Sequence, residues 1–136
     1  MTIDPVEVMF VKGKFVIERT RDDAFVYKLL SEAEEVLAVS DAFETLPACR
    51  SGVTAARGSL GSAVVEADHE RAVDGKSYYD VFSNDWGYTL LLKGYFGEVL
   101  MAGSFYEGKD DCLRVIDQLH ALEPDEDVDY RENLIF

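Results

Sequence analysis

"EVLAVSDAFE" (residues 35–44) and "EVLMAGSFYE" (residues 98–107) say nearly the same thing twice, 63 positions apart. With that offset held, Phe25 falls on Tyr88, Leu29 on Leu92 and Glu35-Val36-Leu37 on Glu98-Val99-Leu100. Phe43-Glu44 falls on Tyr106-Glu107 and Cys49 on Cys112; upstream, Phe15 falls on Tyr78 and Asp22 on Asp85. No gap is needed from residue 15 to residue 53, and chance similarity does not usually keep register that long, so the chain reads as an internal duplication. Two copies are too few for a solenoid. They imply one pseudo-twofold domain in which each copy covers the other's apolar face.

Each copy has the same grammar. It opens on an extended segment rich in aromatic and β-branched residues, "KFVIERT" (14–20) or "SYYDVFS" (77–83). A polar turn follows, "RDDA" or "NDWG". A second strand then alternates, with Phe25, Tyr27 and Leu29 marking one face in copy one and Tyr88, Leu90 and Leu92 in copy two. After a turn, "SEAE" or "GYFG", the third strand is "EVLAVS" or "EVLMAG". Beyond Phe43 or Tyr106 the period becomes helical. The first helix begins near a Thr45 cap with Pro47 in its first turn, and Cys49, Val53 and Ala56 share a face. Gly52 and Gly58 predict a short, weak helix there. In the second helix, Asp110 and Asp111 sit near the positive N-terminal end, and Cys112, Ile116 and Leu119 share a face. The expected fold class is α+β: a three-stranded antiparallel β-meander plus helix, βββα twice, with helices packed on sheet.

Repeat one spans about 13–62 and repeat two about 75–122, within one domain over 1–122. Between them "AVVEADHERAV" (63–73) looks extended, and Asp74-Gly75 is a hairpin signal before the next strand. "VEVMFV", "KGK" and "FVIE" near the N-terminus have the same hairpin look. The tail "EPDEDVDYRENLIF" (123–136) is acidic and Pro-broken, and is expected to leave the domain.

These features together resemble the repeat of the small bacterial YegP-like proteins. That repeat reads as an aromatic strand, a polar turn, then "F-x-F-x-L-K-A-x-N-G-x-I-L" and a helix. "FVIERTRDDAFVYKLL", "EVLAVSDAF" and "CRSGVTAAR" are similar to it in copy one. "SYYDVFSNDWGYTLLLKG" and "EVLMAGSFYEGKDDCLRVI" are similar to it in copy two. The resemblance covers about 13–122 and implies three antiparallel strands and a helix, twice, with no catalytic residues to carry over. The chain departs from the pattern at the Asn-Gly turn, replaced by "SEAEE" and "GYFG", and at the helix-start Lys, kept as Lys109 but Leu46 in copy one.

The bulk numbers bound the function. The chain has 136 residues, 48% apolar content and a net charge of −14. That is one cored domain with a surface that should repel nucleic acid and anionic membrane. No segment approaches the ~20 apolar residues of a membrane span. The N-terminus lacks a secretory pattern, so a cytoplasmic location is expected. Cys49 and Cys112 read as core residues, because His69 and His120 show no metal-ligand spacing and His120 lies about 12 Å along the helix from Cys112. The acid-rich turns lack the central Gly and distal Glu of a calcium loop. "RGSLGSA" (57–63) has no Gly-Lys-Ser/Thr and stops a helix. No cofactor and no metal is implied.

Aromatics in turns are the remaining signal. Trp86, Tyr95 and Phe96 form the candidate partner-binding patch, with packing onto the other copy, or onto Leu134-Ile135-Phe136 of the tail, as the rival reading. The expected function is a small non-enzymatic binding or accessory protein, monomeric, engaging a protein partner that is basic if charge guides it. The first alternative is an acidic nucleic-acid mimic that inhibits a basic nucleic-acid-binding protein. The second is an enzyme without a recognisable motif. Copy two also gains an aromatic at Phe105, so the asymmetry between copies is where a specific function is expected.

Overall fold

Thr45 caps the first helix, its side-chain oxygen accepting from the Ala48 amide at 3.2 Å, and Pro47 follows in the first turn. The helix, α1, runs Leu46–Ser59. It passes straight through Gly52 and Gly58, which were expected to shorten it. Gly52 has a packing reason: a Cβ there would lie 2.7 Å from Phe43 Cζ and 2.9 Å from Tyr27 Cε2. The helix lies that close to the sheet, and tertiary packing offsets the low propensity. The second helix, α2 (Lys109–Ala121), has Asp110 and Asp111 in its first turn. The buried positions are Cys49, Val53 and Ala56 on α1 and Cys112, Ile116 and Leu119 on α2, as the helical period predicts.

The computed structural model describes residues 11–66 and 76–132. Its strands are β1 (Val11–Arg19), β2 (Phe25–Ser31), β3 (Val36–Val39), β4 (Ala63–Glu66), β5 (Tyr78–Asn84), β6 (Gly87–Lys93), β7 (Val99–Ala102), β8 (Leu122–Pro124) and β9 (Asp129–Glu132). They form one mixed sheet in the order β4-β5-β6-β7-β3-β2-β1-β8, with β9 also pairing β1. The fold is therefore α+β, with two helices on a mixed sheet of nine described strands. Two plain meanders do not describe it, because three further strands join in.

Those strands correct several expectations. β4 pairs β5 in parallel, so no hairpin joins them; Asp74-Gly75 lies outside the described residues. Lys12-Gly13-Lys14 is not a turn but part of β1, where Gly13 pairs with Ser31 on one side and Pro124 on the other. Over residues 123–132 the acidic tail does not leave the domain, and Leu134-Ile135-Phe136 lies outside the described residues. β8 and β9 pair in parallel with β1, and Arg57 Nη1 of α1 donates to the Pro124 carbonyl at 3.2 Å. Backbone pairing satisfies polar groups that the tail's acidic composition says nothing about.

The 63-residue offset also needs one correction. From β2 and β6 onward, residues 63 apart take matching places: Leu29 pairs Ala38 as Leu92 pairs Met101, and Phe25 bridges Phe43 as Tyr88 bridges Tyr106. At the sheet's centre Val39 faces Ala102, its own counterpart. In the first strands, however, Leu29 pairs Phe15 while Leu92 pairs Tyr79, not Tyr78. The β5–β6 hairpin is one residue shorter, so Phe15 matches Tyr79 and Ile17 matches Val81. A one-residue slip exchanges the faces of a strand, and the core follows: Phe15, Ile17, Tyr79 and Val81 are all buried beneath the helices. Two buried tyrosines lock the halves together. The Tyr27 hydroxyl donates to the Leu100 carbonyl, and that of Tyr79 donates to the Leu60 carbonyl at 2.7 Å. Burial pushes both hydroxyls well above the ordinary phenol value.

Candidate binding surfaces

The β5–β6 turn is two residues, Asp85-Trp86, between the paired Asn84 and Gly87. Asn84 Oδ1 accepts from the Trp86 amide at 2.8 Å, and Gly87 has φ +123, a conformation L side chains rarely adopt. Trp86 projects from this tight turn 80% exposed. The β6–β7 turn is closed by Gly94 N–H to the Glu98 carbonyl at 2.8 Å and Gly97 N–H to the Gly94 carbonyl at 3.0 Å. The Glu98 carboxylate accepts from the Phe96 amide at 2.9 Å. Here Tyr95 is 63% and Phe96 94% exposed.

These three residues do not form one patch. Trp86 precedes the seven-residue β6 and Tyr95-Phe96 follow it, so they sit at opposite ends of a strand more than about 20 Å long. Phe105, 52% exposed and one residue before the Tyr106 bridge to Tyr88, lies toward the Trp86 end. The sequence marks each turn aromatic as a candidate but carries no sign of which end it occupies.

Three of the remaining polar candidates are engaged in packing or hydrogen bonding. Cys49 and Cys112 are buried, and desolvation pushes the Cys49 thiol up to about 11 and the Cys112 thiol also upward. Thiols held protonated in this way are poor nucleophiles. His120 meets the Ser62 carbonyl through Nε2 at 2.6 Å and stands edge-on to Tyr79, while His69 lies outside the described residues. No cluster of three metal-ligating side chains occurs among the described residues. No helix among them is long and apolar enough to cross a membrane.

One cleft was not legible in the sequence. It lies between α1 and the β8–β9 arm, has a volume of about 410 Å³, and has Ile17 and Val53 as part of its lining. It exists only because the tail folds back.

Nothing among protein-family descriptions matches this sequence, and no curated protein does. Two solved structures are similar. One is the protein of unknown function YegP from E. coli, 14% identical, covering 89% of this chain and 92% of its own, with a TM-score of 0.64. The chain has the YegP-like fold. The other, a UPF0339 protein from Shewanella oneidensis, is 11% identical with a TM-score of 0.69, covering 87% of this chain and 90% of its own. At such identities a shared YegP-like fold carries no residue roles across.

Proposed function

We propose that this chain is a non-enzymatic binding module: a duplicated βββα unit closed into one pseudo-twofold domain, monomeric, that engages a protein partner through exposed aromatic turns of its C-terminal half. The observation that carries the reading is the exposure of Trp86 and Phe96, each on a turn fixed by its own hydrogen bonds. A rigidly held aromatic in water loses little entropy on burial by a partner and makes an effective anchor. The N-terminal half has charged residues at the matching turns, Asp23 for Trp86 and Glu32 for Tyr95. The self-facing pair Val39 and Ala102, and the two tyrosines that bond across the halves, support a pseudo-twofold unit that needs no second copy.

Because the aromatics lie at two ends, there are two surfaces to test. Photo-crosslinkers placed beside Trp86 and beside Phe96 should capture different contacts, each lost on Trp86→Ala or on Tyr95→Ala with Phe96→Ala. Identical captures with all variants count against both surfaces. Light scattering at twice the chain mass would contradict the monomer. The acidic-decoy reading draws support only from the net charge, since Glu18, Glu34, Asp80 and Asp129 are each ion-paired with Lys or Arg.

A further inference from the structure

Arg50, Thr54 and Arg57 follow one another at helical spacing along the side of α1 that faces the acidic arm. Across the cleft stand Glu126, Asp127 and Asp129, with Val128 and Tyr130 completing the arm's wall. Arg57 is already committed: it donates to the Pro124 carbonyl, and its guanidinium lies 5.3 Å over the Phe15 ring. It therefore ties the arm to the helix. Asp129 is committed to Lys14 and Arg131 at 3.4 and 3.5 Å. The side chains of Arg50, Glu126 and Asp127 make no ion pair with any described residue, although they line the same cleft. The loop that carries Glu126 and Asp127 is held at both ends, by the Arg57 bond to the Pro124 carbonyl and by the pairing of β9 with β1 from Val16 to Arg19. Opposite charges thus face one another across about 410 Å³ of space, beside the buried apolar side chains of Ile17 and Val53.

We propose that this cleft binds a short zwitterionic peptide with apolar side chains, its carboxylate on Arg50, its ammonium on Glu126 and Asp127, and its side chains against the exposed Val128 and Tyr130. The volume lies within the range of small-ligand sites. A purely anionic ligand would be repelled by the arm and a purely cationic one by α1, so the two walls together select a molecule carrying both charges. Arg presents a planar fork suited to a carboxylate. A dipeptide separates its charged ends by about one Cα step more than a free amino acid does, which suits walls too far apart to pair directly.

The test is a titration of the full chain with the dipeptide Leu-Leu, followed by backbone amide NMR shifts. The expected result is saturable shifts at Ile17, Val53, Thr54, Val128 and Tyr130. Arg50→Gln and Asp127→Asn, both at exposed positions, should each weaken binding about tenfold. Leu-Leu blocked at both ends should not compete. Absence of saturable shifts up to roughly 10 mM, or equal binding of the blocked peptide and by both variants, overturns the proposal.

Discussion

The two halves fill equivalent space differently where each helix crosses the second strand of its half. In the N-terminal half β2 supplies Tyr27, and α1 supplies small residues, Gly52, Val53 and Ala56, while Phe15 and Phe43 have aromatic counterparts in Tyr79 and Tyr106. In the C-terminal half Leu90 stands where Tyr27 does, and α2 supplies Val115, Ile116 and Leu119 at the matching positions. Volume lost from one layer reappears in the other. A close-packed interior constrains the sum across an interface rather than each residue. The turns lie under no such constraint, and there the halves diverge most: charged in one, aromatic in the other.

The largest effect should come from undoing the trade. Leu119→Ala leaves a cavity under α2 and should cost about 2–5 kcal/mol in urea unfolding. Gly52→Val should destabilise by about 1–3 kcal/mol, because a side chain there runs into the Phe43 and Tyr27 rings. Gly52→Val combined with Tyr27→Leu should cost less than the two single changes summed; additive losses would break the idea of traded volume.

Next comes the turn backbone. Gly87 has φ +123, and a Cβ there would meet the Tyr106 carbonyl oxygen at 2.5 Å. Gly87→Ala should cost about 2 kcal/mol or more by thermal unfolding. Ala24 occupies the matching place in the longer β1–β2 turn, outside the left-handed region. Ala24→Gly should shift stability by about 1 kcal/mol at most, and equal costs at both turns would contradict the contrast.

The cross-half hydroxyls are smaller. Tyr27→Phe removes the donor to the Leu100 carbonyl and Tyr79→Phe the donor to that of Leu60. Each should cost about 1–2 kcal/mol, because the carbonyl loses its partner. At alkaline pH both tyrosines should resist ionisation, since burial raises their folded values. Stability from them is complete below pH about 10, the unfolded value, and falls as pH rises beyond it. Absorbance at alkaline pH that shows all seven tyrosines ionising before unfolding would refute this.

The smallest effect concerns the arm. Glu34 accepts from Arg131 and lies 3.5 Å from Lys14, and those cations hold its carboxyl below the ordinary glutamate range. A depressed acid contributes stability above its unfolded value, about 4.3, that is lost as pH falls through the lower folded value. Amide exchange in β9 should therefore quicken on acidification in that window, modestly because the groups are exposed. Gly97 occupies the matching turn position and carries no charge, so acidification breaks no ion pair at that position of the β6–β7 turn. Exchange in β9 that does not change on acidification would remove the contrast.

Much of the architecture could be read from residues alone. The Thr45 cap, the Cys-Ile-Leu and Cys-Val-Ala faces, and the second and third strands follow from period and turn chemistry, which are local. The slip between Phe15 and Tyr79 could not be read, because Tyr78 and Tyr79 are both aromatic and either satisfies the pattern. Only pairing with Leu92 selects Tyr79. The turn aromatics were visible as candidates, but their separation depends on strand direction. The α1–arm cleft had no sequence signal, since the tail's acids look like a solvated end.

What the sequence determined by itself is therefore the local grammar: strands, helices, caps and the 63-residue echo, all set by side-chain periodicity and backbone preference within a few residues. The tertiary structure decided the register of the first strands, the parallel docking of β4, β8 and β9, and the cleft that the folded-back tail creates. Those depend on long-range backbone hydrogen bonds, which nearly every residue can make and which therefore leave little trace in residue identity.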